Sequence, residues 1–151
     1  MLDDLVKESN PKDAIGVLKA PTTTIPKTVM AEIGVGMLEG ALKYGRHNYR
    51  AIGVRTSVYL DAAMRHLIRF EEGEDIDPDS DLSHIIKAIT SLVVLRDAMI
   101  QGKCIDDRPP PTANIDEFMD GLNAAVKKMA EKYPSAKQPY TCGDIYGMIE
   151  E

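Results

Sequence analysis

The segment from Asp81 to Gln101 constrains the fold more than any other. Leu82, Ile85, Ile86, Ile89, Leu92, Val93 and Ala98 recur at helical spacing and make a wide apolar face. A face that broad has to be covered, so the helix it predicts belongs in a layer of packed helices. Ser80 stands where an N-cap belongs, and Asp81 suits the positive end of the helix dipole.

Two more helices are predicted upstream. Between Val29 and Tyr44, Ile33, Met37, Leu38, Ala41 and Leu42 share one face, with Gly45 as a C-terminal cap. Gly34, Gly36 and Gly40 oppose that helix, at about 1 kcal/mol each relative to alanine. A second runs from Ser57 to Glu72, capped by Thr56 or Ser57 and closed by Gly73. After a break at Pro109-Pro110-Pro111, Asn114 and Glu117 resemble a capping box. The fourth helix they open has Ile115, Phe118, Met119, Leu122, Val126 and Met129 as its expected core face.

Few segments alternate with a period of two, so the class is all-α. Residues 1–29, punctuated by Pro11, Pro21 and Pro26, read as an irregular N-terminal arm. Residues 30–108 form the helical core that would carry the chemistry, and 109–151 a C-terminal helix and tail. With 151 residues, a single domain is expected overall.

Composition narrows the function. No apolar run approaches the roughly 18 residues of a membrane span. The start, Met1-Leu2-Asp3-Asp4, lacks a signal-peptide pattern, so a cytoplasmic protein is expected with no membrane partner. Aromatic residues make up 5% and tryptophan is absent, which disfavours carbohydrate or single-strand stacking. The net charge is −6, yet Glu71 to Asp81 alone carries −7 in seven acidic residues, leaving the rest at +1. A near-neutral chain with one acidic knot disfavours a nucleic-acid surface. Cys104 and Cys142 are expected to be reduced thiols, too few for a zinc framework.

Three polar clusters could carry chemistry. Lys43-Tyr44-Gly45-Arg46-His47-Asn48-Tyr49-Arg50 places cations and donors beside a glycine turn, which suits phosphate oxygens or simply a solvated helix end. Asp61, Arg65 and Arg69 share one helix face, with His66 beside them as a ligand or a satisfied core histidine. The knot, followed by His84, offers carboxylates to a hard divalent ion, with Glu74 and Asp77 aimed together if the turn is helical; otherwise it is a solvated loop. An EF-hand fails, because Ser80 holds the required glycine position and Ile86 the bidentate glutamate position. There is no Walker A loop. On the third helix, Asp81, His84, Lys87 and Ser91 form a narrow polar stripe.

Four stretches together carry a family resemblance. They are Asn10 to Gly16, Glu39 to Arg50, Tyr59 to His66 and Gly73 to Ser80. In that order they resemble the phage dATP/dGTP diphosphohydrolase family, which is similar to the all-α MazG-like nucleotide pyrophosphohydrolases. The resemblance covers about residues 10–110 and implies a MazG-like bundle of about four main helices. It also implies hydrolysis of a purine deoxynucleoside triphosphate to the monophosphate and pyrophosphate, with Mg²⁺ or Mn²⁺, in a homodimer or homotetramer. Phages with 2-aminoadenine DNA use such an enzyme, in its MazZ form, to make dGMP. The MazG signature of glutamates on successive helices is absent from its usual places. Glu32 and Glu39, with Glu74 and Asp77, are its closest substitutes.

On this reading Glu39, Glu74, Asp77 and Asp61 are the catalytic carboxylates and hold one to three ions. Lys43, Arg46, Arg50 and Arg65 bind phosphate; His66 and His84 act as ligands, substrate contacts or orienting groups; Tyr44 and Asn48 reach sugar or base. At 1.5 Å per residue the knot lies about 20 Å from Asp61 along the second helix. Glu39 is expected beside Asp61 or Arg65, so the two groups need separate sites or a neighbouring subunit. The rival readings are a non-enzymatic helical interaction protein docking through its acidic loop, and a phosphoribosyl-ATP pyrophosphohydrolase relative.

Overall fold

A computed structural model describes residues 10–146. The chain start at Met1–Asp4 and the last five residues of the tail lie outside the described residues. The chain divides into two compact units, Met1–Asp106 and Asp107–Glu151. The described residues are mostly helical, and no helix among them is long and apolar enough to cross a membrane.

In the first unit the elements are α1 (Pro11–Gly16), α2 (Lys27–Tyr44), α3 (Asn48–Ala51), β1 (Val54–Arg55), α4 (Thr56–Glu71), β2 (Ile76–Asp77), β3 (Leu82–Ser83), α5 (His84–Ile100) and β4 (Cys104–Ile105). The strands are two residues each; β1 pairs parallel with β4, and β2 antiparallel with β3. The arm is not wholly irregular: Pro11 opens α1, and the Asn10 side chain accepts from Lys12 N at 3.0 Å.

Helix α5 is the centre of this unit, packing along α4 and against α2. Its C-terminal half carries one core cluster, where Val54, Leu95 and Ala98 are buried against Tyr49, Tyr59, Val94 and Cys104, and Ile86 and Ala88 are buried nearer its start. Its predicted apolar face is only partly covered, since Leu92 and Val93 remain exposed. Gly36 is the one buried residue of α2, and a Cβ there would lie 2.6 Å from Thr90 Oγ1 on α5. The glycine that weakens α2 as a helix is therefore what lets it approach α5.

Helix boundaries differ from expectation at their caps. Helix α5 starts at His84, not Asp81: the β2–β3 hairpin takes up Leu82 and Ser83, and Ser83 Oγ accepts from Ile85 N at 3.2 Å. Asp81 lies outside the helix at φ 56°, so it makes no helix-dipole contact of the predicted kind. The knot around Pro78 is this hairpin rather than a helical turn. Thr56 does not cap α4; its hydroxyl donates to Ile105 O at 3.1 Å, joining α4 to β4. Gly45 and Gly73 do end helices with positive φ, 91° and 93°.

The second unit holds α6 (Ile115–Lys132) and α7 (Cys142–Tyr146). Asn114 precedes α6 in a left-handed conformation and makes no capping bond, so the predicted box is not formed. None of α6 is buried, and Ile115, Phe118, Met119, Leu122, Val126 and Met129 are an exposed apolar face rather than a core.

Candidate active site

The N-terminal half of α5 carries polar groups beside the buried Ile86 and Ala88. His84 opens the helix at 1% exposure, its N–H donating to Asp75 O at 3.0 Å. Across from it on α4, His66 Nδ1 stands 2.9 Å from His84 Nδ1. Asp77 completes the group from the hairpin. One ligand atom from each of His66, Asp77 and His84 falls within 4.8 Å of the others.

The hairpin explains why a carboxylate can be buried here. Asp77 is 8% exposed, its Oδ1 accepting from Asp79 N at 3.1 Å and its Oδ2 from Ser80 Oγ at 3.3 Å. Ser80 N and Asp81 N both donate to Asp77 O, closing the turn tightly around it. Burial pushes the Asp77 carboxyl up, but these bonds and the Lys87 ammonium outweigh it and hold the group below its usual range. Burial, with Lys87 and His84 alongside, lowers the His66 imidazole, which favours the neutral form a metal ligand needs.

Two nitrogens and a carboxylate oxygen are a donor set that fits a divalent transition ion. The other nitrogen of His84, Nε2, is buried with no hydrogen-bond partner, and Glu74 Oε1 lies 3.7 Å from it, beyond hydrogen-bond reach. Glu74 is itself gripped by Arg69 at 3.0 Å.

The cluster opens through His66 and Lys87 onto a cavity of about 810 Å³ between α2, α4 and α5. That volume is within the roughly 300–1,000 Å³ of small-molecule sites. Lys43, Arg46 and Arg65 bring positive charge to it, while Tyr44, Asn48 and Tyr59 line it with Met37 and Val94. Glu39 faces the same space and bridges two lysines, with Oε1 2.5 Å from Lys43 Nζ and Oε2 2.6 Å from Lys87 Nζ. Burial raises the Glu39 carboxyl, and the two lysine hydrogen bonds overcome that and lower it.

Several predicted residues are thus brought together: Glu39, Lys43, Tyr44, Arg46, Asn48, Arg65 and His66 line the cavity, and Asp77 and His84 adjoin it. Of its two expected neighbours, Glu39 shares the cavity with Arg65 and does not meet Asp61. It meets Asp77 through Lys87 within one chain, so separation along α4 did not decide which groups share a site. Asp61 is exposed and lies outside the cavity lining. Arg50 also lies outside it, forked onto Asp97 at 2.8 and 2.6 Å, where it fastens α3 to α5 and lowers the Asp97 carboxyl. Sequence spacing put Lys87 on a polar stripe that either lines a site or faces water and read Ser80 as a cap, naming neither as a site residue. The spacing of His84, Lys87 and Ser91 along one stripe of α5 was the available signal.

Comparison with known proteins adds the family. Residues 9–108 match the family described as dATP/dGTP diphosphohydrolase, N-terminal. Over 90 residues the chain is 30% identical to a protein of Salmonella phage PMBT28 named dATP/dGTP diphosphohydrolase. The match covers 60% of this chain and 30% of that relative, so the chain spans under a third of its length. No solved structure matches.

Proposed function

This chain belongs to the dATP/dGTP diphosphohydrolase family, and on that premise we propose that it hydrolyses a purine deoxynucleoside triphosphate to the monophosphate and pyrophosphate. The observation that carries the reading is the His66–Asp77–His84 cluster opening onto a cation-lined cavity. His66, Asp77 and His84 would hold a divalent ion. Such an ion, when bound, makes water easier to deprotonate and offsets triphosphate charge. Two imidazoles in the donor set favour Mn²⁺ over the harder Mg²⁺.

The remaining residues bind and orient. Lys43, Arg46 and Arg65 hold phosphate oxygens and stabilise the charge of departing pyrophosphate. Glu39 fixes the two ammonium groups it bridges, and Glu74, 3.7 Å from the outer nitrogen of His84, adds negative charge beside it. Tyr44 and Asn48 contact sugar or base. Water attacks the α-phosphorus, and the bond to the β-phosphate bridging oxygen breaks. Supply of dGMP to 2-aminoadenine DNA synthesis is the finer role this activity would serve.

The exposed Leu92 and Val93 of α5 and, separately, the apolar face of α6 support a homodimer or homotetramer. Asp61 and Arg50 would then join a site only across subunits. An active monomer by gel filtration with light scattering would remove that part. The activity itself is tested by incubating the chain with each dNTP and Mg²⁺ or Mn²⁺, then measuring dNMP and pyrophosphate. Release from dGTP or dATP is expected; none from any nucleotide under either metal overturns the reading.

A further inference from the structure

Lys87 sits where the carboxylates converge. Its side chain is 14% exposed, and its Nζ has three oxygens around it: Glu39 Oε2 at 2.6 Å, Asp77 Oδ2 at 3.2 Å and Ser80 Oγ at 3.4 Å. An ammonium has three N–H donors, so these acceptors satisfy all of them. The oxygens come from three places in the fold: α2, the β2 strand and the turn between β2 and β3. With Lys43 on the other oxygen of Glu39, two carboxylates face two ammonium groups, and the cluster is charge-balanced by side chains alone.

Oxygen donors of this kind are also what a hard divalent ion takes, at 2.0–2.6 Å from each (the typical range). A lysine nitrogen and such an ion cannot share the space between Glu39 and Asp77. We propose that Lys87 is a resident cation that fills the oxygen-rich half of the site, so that the chain takes one divalent ion, on the histidine side, and Glu39 is not a metal ligand. The ammonium also lines the cavity, where it presents a fixed positive charge to a phosphate chain. This rests on the metal reading of His66, Asp77 and His84.

The test counts ions on the full chain without substrate, by Mn²⁺ electron paramagnetic resonance and calorimetry. Wild type is expected to bind one Mn²⁺ per chain, and Lys87→Gln to bind two, as Glu39 and Asp77 become available. Lys87→Arg keeps the charge and should stay at one. Glu39→Gln, which spares every histidine-side ligand, should still bind one Mn²⁺ per chain. Two ions on wild type, an unchanged count in a Lys87→Gln protein whose circular dichroism is native, or no bound ion in a natively folded Glu39→Gln protein would each overturn the proposal. No Mn²⁺ on wild type would instead overturn the metal reading beneath it.

Discussion

The distance between α2 and α5 sets where Glu39 meets Lys87, and Gly36→Ala probes it directly. The added Cβ would lie 2.6 Å from Thr90 Oγ1 and 3.5 Å from Thr90 Cβ and Cγ2. The hydroxyl is not idle, since it donates to Ile86 O at 2.7 Å and loses that bond if it swings away. Two effects oppose each other. Alanine gains about 0.8–1 kcal/mol over glycine in a helix interior. Forcing a methyl into a filled contact costs about 1–3 kcal/mol. The clash is larger, giving a net loss of about 1 kcal/mol. For a domain of about 100 residues that lowers Tm by roughly 4–8 °C. Thr90→Ala removes Oγ1 and Cγ2 and leaves only the 3.5 Å contact, which is ordinary packing. In that background Gly36→Ala should stabilise by up to ~1 kcal/mol, a reversal of sign with coupling of about 1–3 kcal/mol. Urea unfolding of the four proteins, followed by circular dichroism, measures the cycle. The same effect of Gly36→Ala in both backgrounds would show that the helices do not touch there.

Gly53→Ala should cost at least about 2 kcal/mol, because Gly53 has φ 91° and its Cβ would meet the Lys103 carbonyl at 2.6 Å; a loss under about 0.5 kcal/mol, the range of neutral surface changes, refutes this. His84→Gln should weaken Mn²⁺ binding at least about tenfold by calorimetry, whereas unchanged affinity would remove His84 as a ligand. Glu39 and Asp77 are both held below their ordinary values of 4.5 and 3.8. A depressed carboxyl stabilises fully above its ordinary value and loses that contribution as pH falls through the lowered one, so stability should decline below about pH 4. Lys87→Met removes an ammonium that helps hold both carboxyls down, so both should rise from their wild-type positions, lowering stability at pH 7 and flattening the acid slope; parallel curves in urea unfolding from pH 3 to 7 would contradict it.

The fold was legible where periodicity is long. The spacing of Ile85, Ile86 and Ile89 announces α5, and α4 likewise stands out between Thr56 and Gly73. Two-residue strands leave no periodic trace, which is why Ser80 read as a cap when the hairpin delays the helix to Ser83. Asn114 reads as a cap because of its side chain, yet a left-handed backbone takes it out of capping geometry. In the site, His66 and His84 could each be named from sequence, but not their pairing across two helices. Distance along α4 suggested that Glu39 and the knot serve different places. Lys87 joins them from a third element, and no spacing rule reports such a three-way meeting.

The β1–β4 clasp divides the site by how readily each part can open. Val54 pairs with Cys104, about fifty residues later, closing a loop that contains α4, the hairpin and α5. His66, Asp77, His84 and Lys87 all lie inside that closed stretch, while Glu39, Lys43 and Arg46 arrive from α2 and the turn after it. Helix α2 is anchored by one buried residue, so its amides should exchange with solvent by local opening well before those of α5. A ligand of the cavity would then enter and leave by loosening the lysine-bearing wall, with the histidine end undisturbed.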